Sequence, residues 1–142
     1  MASWLPRTQV SGQRVSVSAT TTPLLPGASA LLDLVGLGRL GHFLAVSTDA
    51  PGWVSFYSSA AAREADGSRP INRDPEPGSG VLLDLATTAS ALTIAAPPGG
   101  TYFSSDGGTA PNSAPLLRVL VRNTGTAQAA IAVTVSVVVL AP

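Results

Sequence analysis

Three glycines near residue 40 form the motif that most resembles a known binding site. Gly36, Gly38 and Gly41 match the dinucleotide pattern G-x-G-x-x-G and follow an apolar segment. In such a site a helix begins at the glycines, so that its first amides meet the pyrophosphate. Residues 42–48 instead alternate like a strand, and Pro51 follows them, so no helix fits. We therefore predict that the glycines form a hairpin bend and that no nucleotide cofactor binds here.

The single histidine, His42, is the other residue that could take part in catalysis. Nucleophilic catalysis needs a histidine beside a serine and an acid, and the sequence has no G-x-S-x-G elbow. On the strand pattern His42 shares a face with Leu44 and Val46, which favours a structural role. The chain has no cysteine, and its aspartates lack the spacing of a calcium loop. We predict no catalytic residue, no metal site and no cofactor, and hence a protein that is not an enzyme.

Charge is concentrated in one long segment, residues 63–79, which is also rich in proline and glycine. Loops longer than about 12–15 residues are usually functional or disordered. Two acidic pairs in it, one at 64 and 66 and one at 74 and 76, have the composition of a glycosidase pair, but the nearby arginines favour surface ion pairing. We predict a contact surface for another subunit, the alternative being a solvated loop. The candidate contact residues are Arg63, Glu64, Asp66, Arg69, Arg73, Asp74 and Glu76.

Two aromatic residues on one predicted strand suggest a second kind of site. Trp53, Ser55 and Tyr57 occupy alternate positions of the predicted strand, so the two aromatic side chains share a face. Two aromatic rings on one face can stack on a sugar, but the same pattern is typical of a core edge or an oligomer contact. Carbohydrate binding or adhesion is therefore the alternative function.

Composition limits the classes of partner. Only 11% of the 142 residues are charged, against about 25% in a typical protein, and the formal net charge is zero. This balance argues against nucleic acid and against an anionic membrane surface, and it leaves association between copies unopposed. No apolar stretch resembles a signal peptide or a membrane span. We expect one soluble domain, residues 1–142, made in a cytoplasm.

Alternation of apolar and polar residues with a period of two recurs along the chain and predicts about eight short antiparallel strands. Turn residues separate most of them, and only residues 59–65 have the composition of a helical turn. Short strands without helical crossovers predict an all-β fold, a β-sandwich of the jelly-roll kind. The predicted strands are residues 14–19, 29–35, 41–48, 53–58, 81–87, 91–95, 117–122 and 131–139.

One short sequence occurs twice. The letters LLDL stand at residues 31–34 and again at residues 82–85, and each copy precedes an apolar strand, a Pro/Gly turn and an aromatic strand that ends in two serines. The repetition is either coincidence or the mark of two sandwich halves built on one hairpin plan.

A family resemblance rests on residues 53–70 (WVSFYSSAAAREADGSRP) and 74–82 (DPEPGSGVL). They resemble small β-domains of tailed phages, particularly those of cyanobacteria. Residues 123–126 (NTGT) and 132–135 (AVTV) are similar to the bend and closing strand of such domains, so the resemblance extends from about Val15 onward. It implies a virion protein that contacts other virion proteins and often assembles as a trimer, either in a tail fibre or baseplate or as capsid decoration. It transfers no catalytic residue.

Overall fold

The fold is built from strands of three to ten residues and one short helix. A computed structural model describes residues 12–105 and 114–142 of the chain. Within these residues no helix is both long and apolar enough to cross a membrane. The strands are β1 (Gln13–Thr20), β2 (Ser29–Leu34), β3 (Leu40–Thr48), β4 (Gly52–Tyr57), β5 (Val81–Ala86), β6 (Thr93–Ala95), β7 (Thr101–Phe103), β8 (Leu117–Asn123) and β9 (Ala132–Ala141), and the helix is α1 (Ala60–Asp66).

The strands form two antiparallel sheets. The first sheet has the order β1-β9-β3-β6, with β7 also paired to β3, and the second has the order β2-β8-β4-β5. The two short strands β6 and β7 lie beside opposite ends of β3, so together they occupy one strand position. The strands then pair as in one long hairpin that is wound around a barrel-like core. In this hairpin β1 pairs with β9, β2 with β8, β3 with β6 and β7, and β4 with β5. This is the jelly-roll arrangement, and it confirms the predicted fold.

The core lies between the inner faces of the two sheets. The alternation that predicts the last strand, residues 131–139, is confirmed by burial. Its alternate apolar residues are all fully buried: Ile131, Val133, Val135, Val137 and Val139. Three aromatic rings meet near the middle of the core: the ring centroid of Phe43 lies 5.1 Å from that of Phe56 and 5.2 Å from that of Tyr102. Tilted rings at this separation are favourable beyond the area that they bury.

The short helix follows directly from its capping residue. The side chain of Ser59 accepts a hydrogen bond from the backbone N–H of Ala62, which satisfies one of the free amides of the first turn. The alanines that follow are strong helix formers. The predicted helical turn at residues 59–65 is therefore found one residue later, at Ala60–Asp66.

A β-bulge in β3 overturns the predicted position of His42. The register of β3 against β9 shifts between Phe43 and Ala45, so Phe43 and Val46 both face the core although they are three residues apart. His42 is paired with Val138 on the outer face of the first sheet. The prediction that His42 shares a face with Val46 is wrong, because strict alternation cannot anticipate an inserted residue.

The glycine motif forms a bend, but not a hairpin. Gly36 and Gly38 have φ values of 89° and 71°, which side-chain-bearing residues rarely adopt. The bend links β2 to β3, and these strands belong to different sheets. Gly41 lies in β3, where an added Cβ would collide with the Tyr102 hydroxyl and the backbone of Val138. Gly36 and Gly38 thus allow the chain to turn from one sheet to the other, and Gly41 allows close packing in β3.

The repeated LLDL sequence does not mark two equivalent halves. Its two copies form β2 and β5, which are the opposite edges of the same sheet. The aromatic strands that follow them, β4 and β7, belong to different sheets. The arrangement argues against a duplicated hairpin plan. The two copies share one feature, since Asp33 and Asp84 both lie on the outer face and both bind arginine.

Opposite effects are expected for two neighbouring substitutions in β9. Val135→Asp places an unpaired carboxylate in the core, which costs several kcal/mol of a total stability of about 5–15 kcal/mol. Ser136 is half-buried on the outer face and bonded to Ser16, so Ser136→Asp should cost about 1 kcal/mol. Thermal melts should show an unfolded or aggregated Val135→Asp variant and a folded Ser136→Asp variant. A Val135→Asp variant that melts like the wild type would contradict this register.

Candidate functional site

The charged segment after β4 folds back over the outer face of the second sheet. Helix α1 packs against β4 and β8, and the loop that follows it continues toward β5. As a result β4 is buried on both faces, and all six of its residues are buried. Its inward residues are apolar, whereas its outward residues Trp53, Ser55 and Tyr57 carry polar groups that need hydrogen-bond partners.

Arg69 holds the covering loop to the sheet. Its Nε and Nη2 donate to the two carboxylate oxygens of Asp66 at 2.8 and 3.1 Å, a bidentate pair. Its Nη1 donates to Asp84 Oδ2 at 3.1 Å and to the backbone oxygen of Arg73 at 2.7 Å. Only 7% of the Arg69 side chain is exposed. One arginine therefore joins the end of α1, the loop and the edge strand β5.

The same two carboxylates accept from the outward side chains of β4. The Tyr57 hydroxyl donates to Asp66 Oδ2 at 2.7 Å. Trp53 Nε1 and Ser55 Oγ each donate to Asp84 Oδ1 at 2.6 Å. Each polar side chain that β4 presents to the covering segment thereby has a hydrogen-bond partner.

Arg122 of β8 completes this cluster by stacking on an aromatic ring. Its guanidinium carbon lies 3.7 Å from the ring centroid of Trp53, a cation–π contact, and that of Arg69 lies 5.1 Å away. Trp53 is 5% exposed and Tyr57 is fully buried. Neither ring offers an open face to a sugar while α1 and the loop are in place, so the geometry argues against stacking of a carbohydrate on these two residues.

A second ion-pair cluster ties α1 to the opposite edge of the sheet. Arg63 Nη1 lies 2.8 Å from Asp33 Oδ1, and Arg118 Nη1 lies 3.0 Å from Asp33 Oδ2. Arg63 Nη1 also donates to the backbone oxygen of Leu32 at 3.0 Å. Asp33 thus accepts from one arginine of the helix and one of β8. The helix is fastened to β2 on one side and to β5 on the other.

The seven predicted contact residues separate into two groups. Arg63, Asp66 and Arg69 point toward the sheet and form the ion pairs above, whereas the other four are exposed. An open depression of about 320 Å³ beside the network is lined by both groups. Subunit contact through the exposed group stays a prediction. The exposed residues are Glu64, Arg73, Asp74 and Glu76.

Most of the residues joined by Arg69 and Asp66 lie on strands: Trp53, Ser55 and Tyr57 on β4, Asp84 on β5 and Arg122 on β8. The sequence predicts strands at Asp84 and Arg122 but no ion pair or stacking for either residue, and for Trp53 it predicts a sugar site, a core edge or an oligomer contact. The available signal was the pattern of charge: the strands of this sheet carry charges on their outer faces, and the segment that follows β4 carries the complementary ones. The charges of the loop could therefore have been paired with those of the sheet.

The electrostatics of the network favour fixed charges at neutral pH. Burial by itself raises the pKa of Asp84, but hydrogen bonds from Arg69, Ser55 and Trp53 outweigh it and hold that pKa below its usual value. The pKa of Asp66 is likewise lowered, by Arg69 and Tyr57 against the effect of burial. Burial and the hydrogen bond to Asp66 raise the pKa of Tyr57 to about 12. The arrangement fastens the helix and loop, and its groups keep their protonation states around pH 7.

The described side chains form no metal site of the usual kind. Within residues 12–105 and 114–142 no group of three or more histidine, aspartate or glutamate side chains is arranged to hold a metal ion. No protein-family model matches the sequence, and no curated protein matches it.

Removal of the central arginine should destabilise the fold far more than removal of an exposed one. Arg69→Met leaves the carboxylates of Asp66 and Asp84 without their cation. Breaking a buried ion pair in this way costs roughly 3–5 kcal/mol, and we expect about 3 kcal/mol because Asp84 is partly open to solvent. Arg73→Met is the control, since Arg73 is exposed and should change stability by about 0.5 kcal/mol or less. Urea unfolding of both variants measures the difference, and equal midpoints would contradict the central role of Arg69.

Acid should weaken the fold through the same carboxylates. The pKa values of Asp33, Asp66 and Asp84 are lower in the folded chain than their ordinary value of 3.8. Their contribution is therefore present above about pH 4 and is lost as the pH falls toward the folded pKa values. Between pH 6 and pH 3 the melting temperature of the wild type should fall more than that of Asp84→Asn. Asp74→Asn, at an exposed site, should follow the wild type. Parallel curves for wild type and Asp84→Asn would count against the mechanism.

Proposed function

We propose that this chain is a non-enzymatic structural protein of a phage particle, which acts through contacts with neighbouring subunits. The observation that carries the proposal is the outer face of the first sheet. Arg14 is the one charged residue in the strands of that sheet, all of which lie in the described part of the chain. Protein–protein interfaces are depleted of charge at their centres, so this face has the composition of a contact surface.

The regularity of that face supports the proposal. Cross-strand pairing aligns Ser16, Ser136, Ala45 and Ala95 in one row across four strands. The next row consists of Ser18, Thr134, Ser47 and Thr93. The side chains of these two rows are short, and their hydroxyl groups can exchange hydrogen bonds with a partner without the desolvation cost of charges.

The fold and the resemblance supply the biological setting of the proposal. The jelly roll is an architecture of viral capsid proteins and also of lectins, so it supports a capsid or tail role by analogy only. The resemblance to small β-domains of tailed phages adds a setting in the virion, as a tail fibre, baseplate or capsid decoration protein. Its partners are then other virion proteins and further copies of this chain, with a trimer as the assembly that the resemblance implies.

Carbohydrate binding is the weaker alternative, because its two candidate residues are covered. Trp53 and Tyr57 donate their polar hydrogens to Asp84 and Asp66 and lie beneath α1 and the loop. A glycan-array signal that disappears in Trp53→Ala while the variant stays folded would favour this alternative over the structural proposal.

The proposal predicts that the chain is present in purified particles. Phage particles from the source of this sequence should be purified by density gradient and digested, and peptides of this chain should appear in the mass spectrum. Immunogold labelling with antibodies to the chain should then mark either the tail or the capsid surface, which separates the two settings. Gradient-purified particles that lack the chain, although it is abundant in the infected lysate, would refute the proposal.

A further inference from the structure

The four edges of the two sheets differ in how they are protected against pairing with another chain. An exposed edge presents unpaired N–H and C=O groups, and proteins usually shield it by shortness, charge, proline or a bulge. At the far edge of the first sheet, β6 has three residues. The edges of the second sheet, β2 and β5, each carry an aspartate that is paired with arginine. The remaining edge, β1, has eight residues and carries no charge from Val15 to Thr20.

The free backbone groups of β1 can be identified from its register. Thr21 N–H donates to the Ile131 oxygen, and this bond continues the pairing of Ala19, Val17 and Val15 with β9. Hydrogen-bonded residues alternate along an antiparallel pair, so the even-numbered residues of β1 direct their N–H and C=O groups away from β9. No described residue forms a hydrogen bond with these outward backbone groups. The residues concerned are Arg14, Ser16, Ser18 and Thr20.

The side chains of β1 also suit a partner on that edge. Val15, Val17 and Ala19 pack against the core but are only half-buried, because the sandwich ends at this strand. On the outer face Ser16 bonds to Ser136 at 2.8 Å and Ser18 bonds to Thr134 at 2.6 Å. From Val15 to Thr20 the strand therefore presents one apolar row and one hydroxyl row, both without charge.

We infer that β1 pairs antiparallel with β1 of a second copy of this chain, about a twofold axis at Val17. Ser16 then faces position 18 of the second copy, and Arg14 faces position 20. Each of the four pairs formed by the even-numbered residues exchanges two backbone hydrogen bonds. Val17 faces position 17 of the second copy, so the half-buried apolar row becomes buried against the same row.

A second copy fits this edge because the strand is self-complementary under a twofold rotation. The apolar row meets an apolar row, and the hydroxyl row meets a hydroxyl row that can continue the bonds already present between β1 and β9. The chain has no net charge to oppose association. The two first sheets then form one continuous sheet. This contact does not depend on the phage setting, and a trimer would need a different surface because a twofold contact closes as a dimer.

A charge exchange at positions 16 and 18 tests both the contact and its register. Position 16 of each copy faces position 18 of the other, so the dimer contains this pair twice. In the variant Ser16→Glu/Ser18→Lys each of the two pairs joins a carboxylate to an ammonium group. In the variant Ser16→Lys/Ser18→Lys each of the two pairs brings two ammonium groups together. Both positions are exposed, and their neighbours on β9 are uncharged, so both variants should fold. Sedimentation equilibrium between about 1 and 100 µM should give a dimer whose Kd is at least about tenfold weaker in the doubly basic variant than in the mixed one.

A proline scan gives an independent measurement on the same strand. Ser16→Pro removes an N–H that points to the free edge, so the variant should keep its circular dichroism spectrum and sediment as a monomer. Val17→Pro removes an N–H that bonds to β9 and should destabilise the fold. A wild type that is monomeric at about 100 µM overturns the inference, and so does a dimer with the same Kd in both charge variants. A trimer unaffected by Ser16→Pro also overturns it, while leaving the particle experiment to decide the proposed function.

Discussion

The bridging of Asp66 and Asp84 by Arg69 is the interaction on which the covered side of this protein depends. Strand β4 is buried on both faces, and its outward face is polar, so each of its donors must find an acceptor. The two carboxylates accept from Tyr57, Trp53 and Ser55, and buried carboxylates in turn need a cation. Arg69 supplies it from the covering loop. The sheet and the segment after β4 therefore cannot be understood separately, since each satisfies the polar groups of the other.

This pairing explains how a chain with few charges distributes them. Four of the eight arginines and three of the eight acids lie between α1, its loop and the second sheet. The strands of the first sheet keep only Arg14. One side of the sandwich is thus closed by its own chain through charge pairs. The other side is left open by the described residues, and Arg14 is the one charged residue of its strands. Because removing charges from water is unfavourable, a partner that covers the open side has the smaller desolvation free energy to overcome.

Much of the fold could be predicted from the sequence, because alternation of apolar residues directly reflects burial on one face. The alternation in residues 131–139 correctly predicts a strand with one fully buried face, and Ser59 with the alanines after it predicts the helix. The bulge at Phe43 and Ala45 could not be predicted, since one inserted residue leaves no compositional trace. The network was missed for a different reason. A charged loop has the same composition whether it is solvated or paired with a sheet. The complementary charges on the strands indicate that pairing is possible, but which residues pair depends on the chain path that brings Arg69 to Asp84.

The edge strand β1 belongs to the open first sheet, whereas the charge network lies on the covered second sheet. Pairing through β1 therefore extends the surface that has few charges and leaves the charge network of each copy untouched. In the joined sheet the hydroxyl rows of two copies lie on one continuous face, with β9 of each copy flanking the two central strands. A subunit that covers this face contacts both copies at once, and the area available to it is about doubled, toward the roughly 800 Å² per partner that a stable interface needs. Self-pairing at the edge and docking on the face are therefore mutually favourable: a dimer offers the larger surface, and a partner that binds across it holds the dimer together.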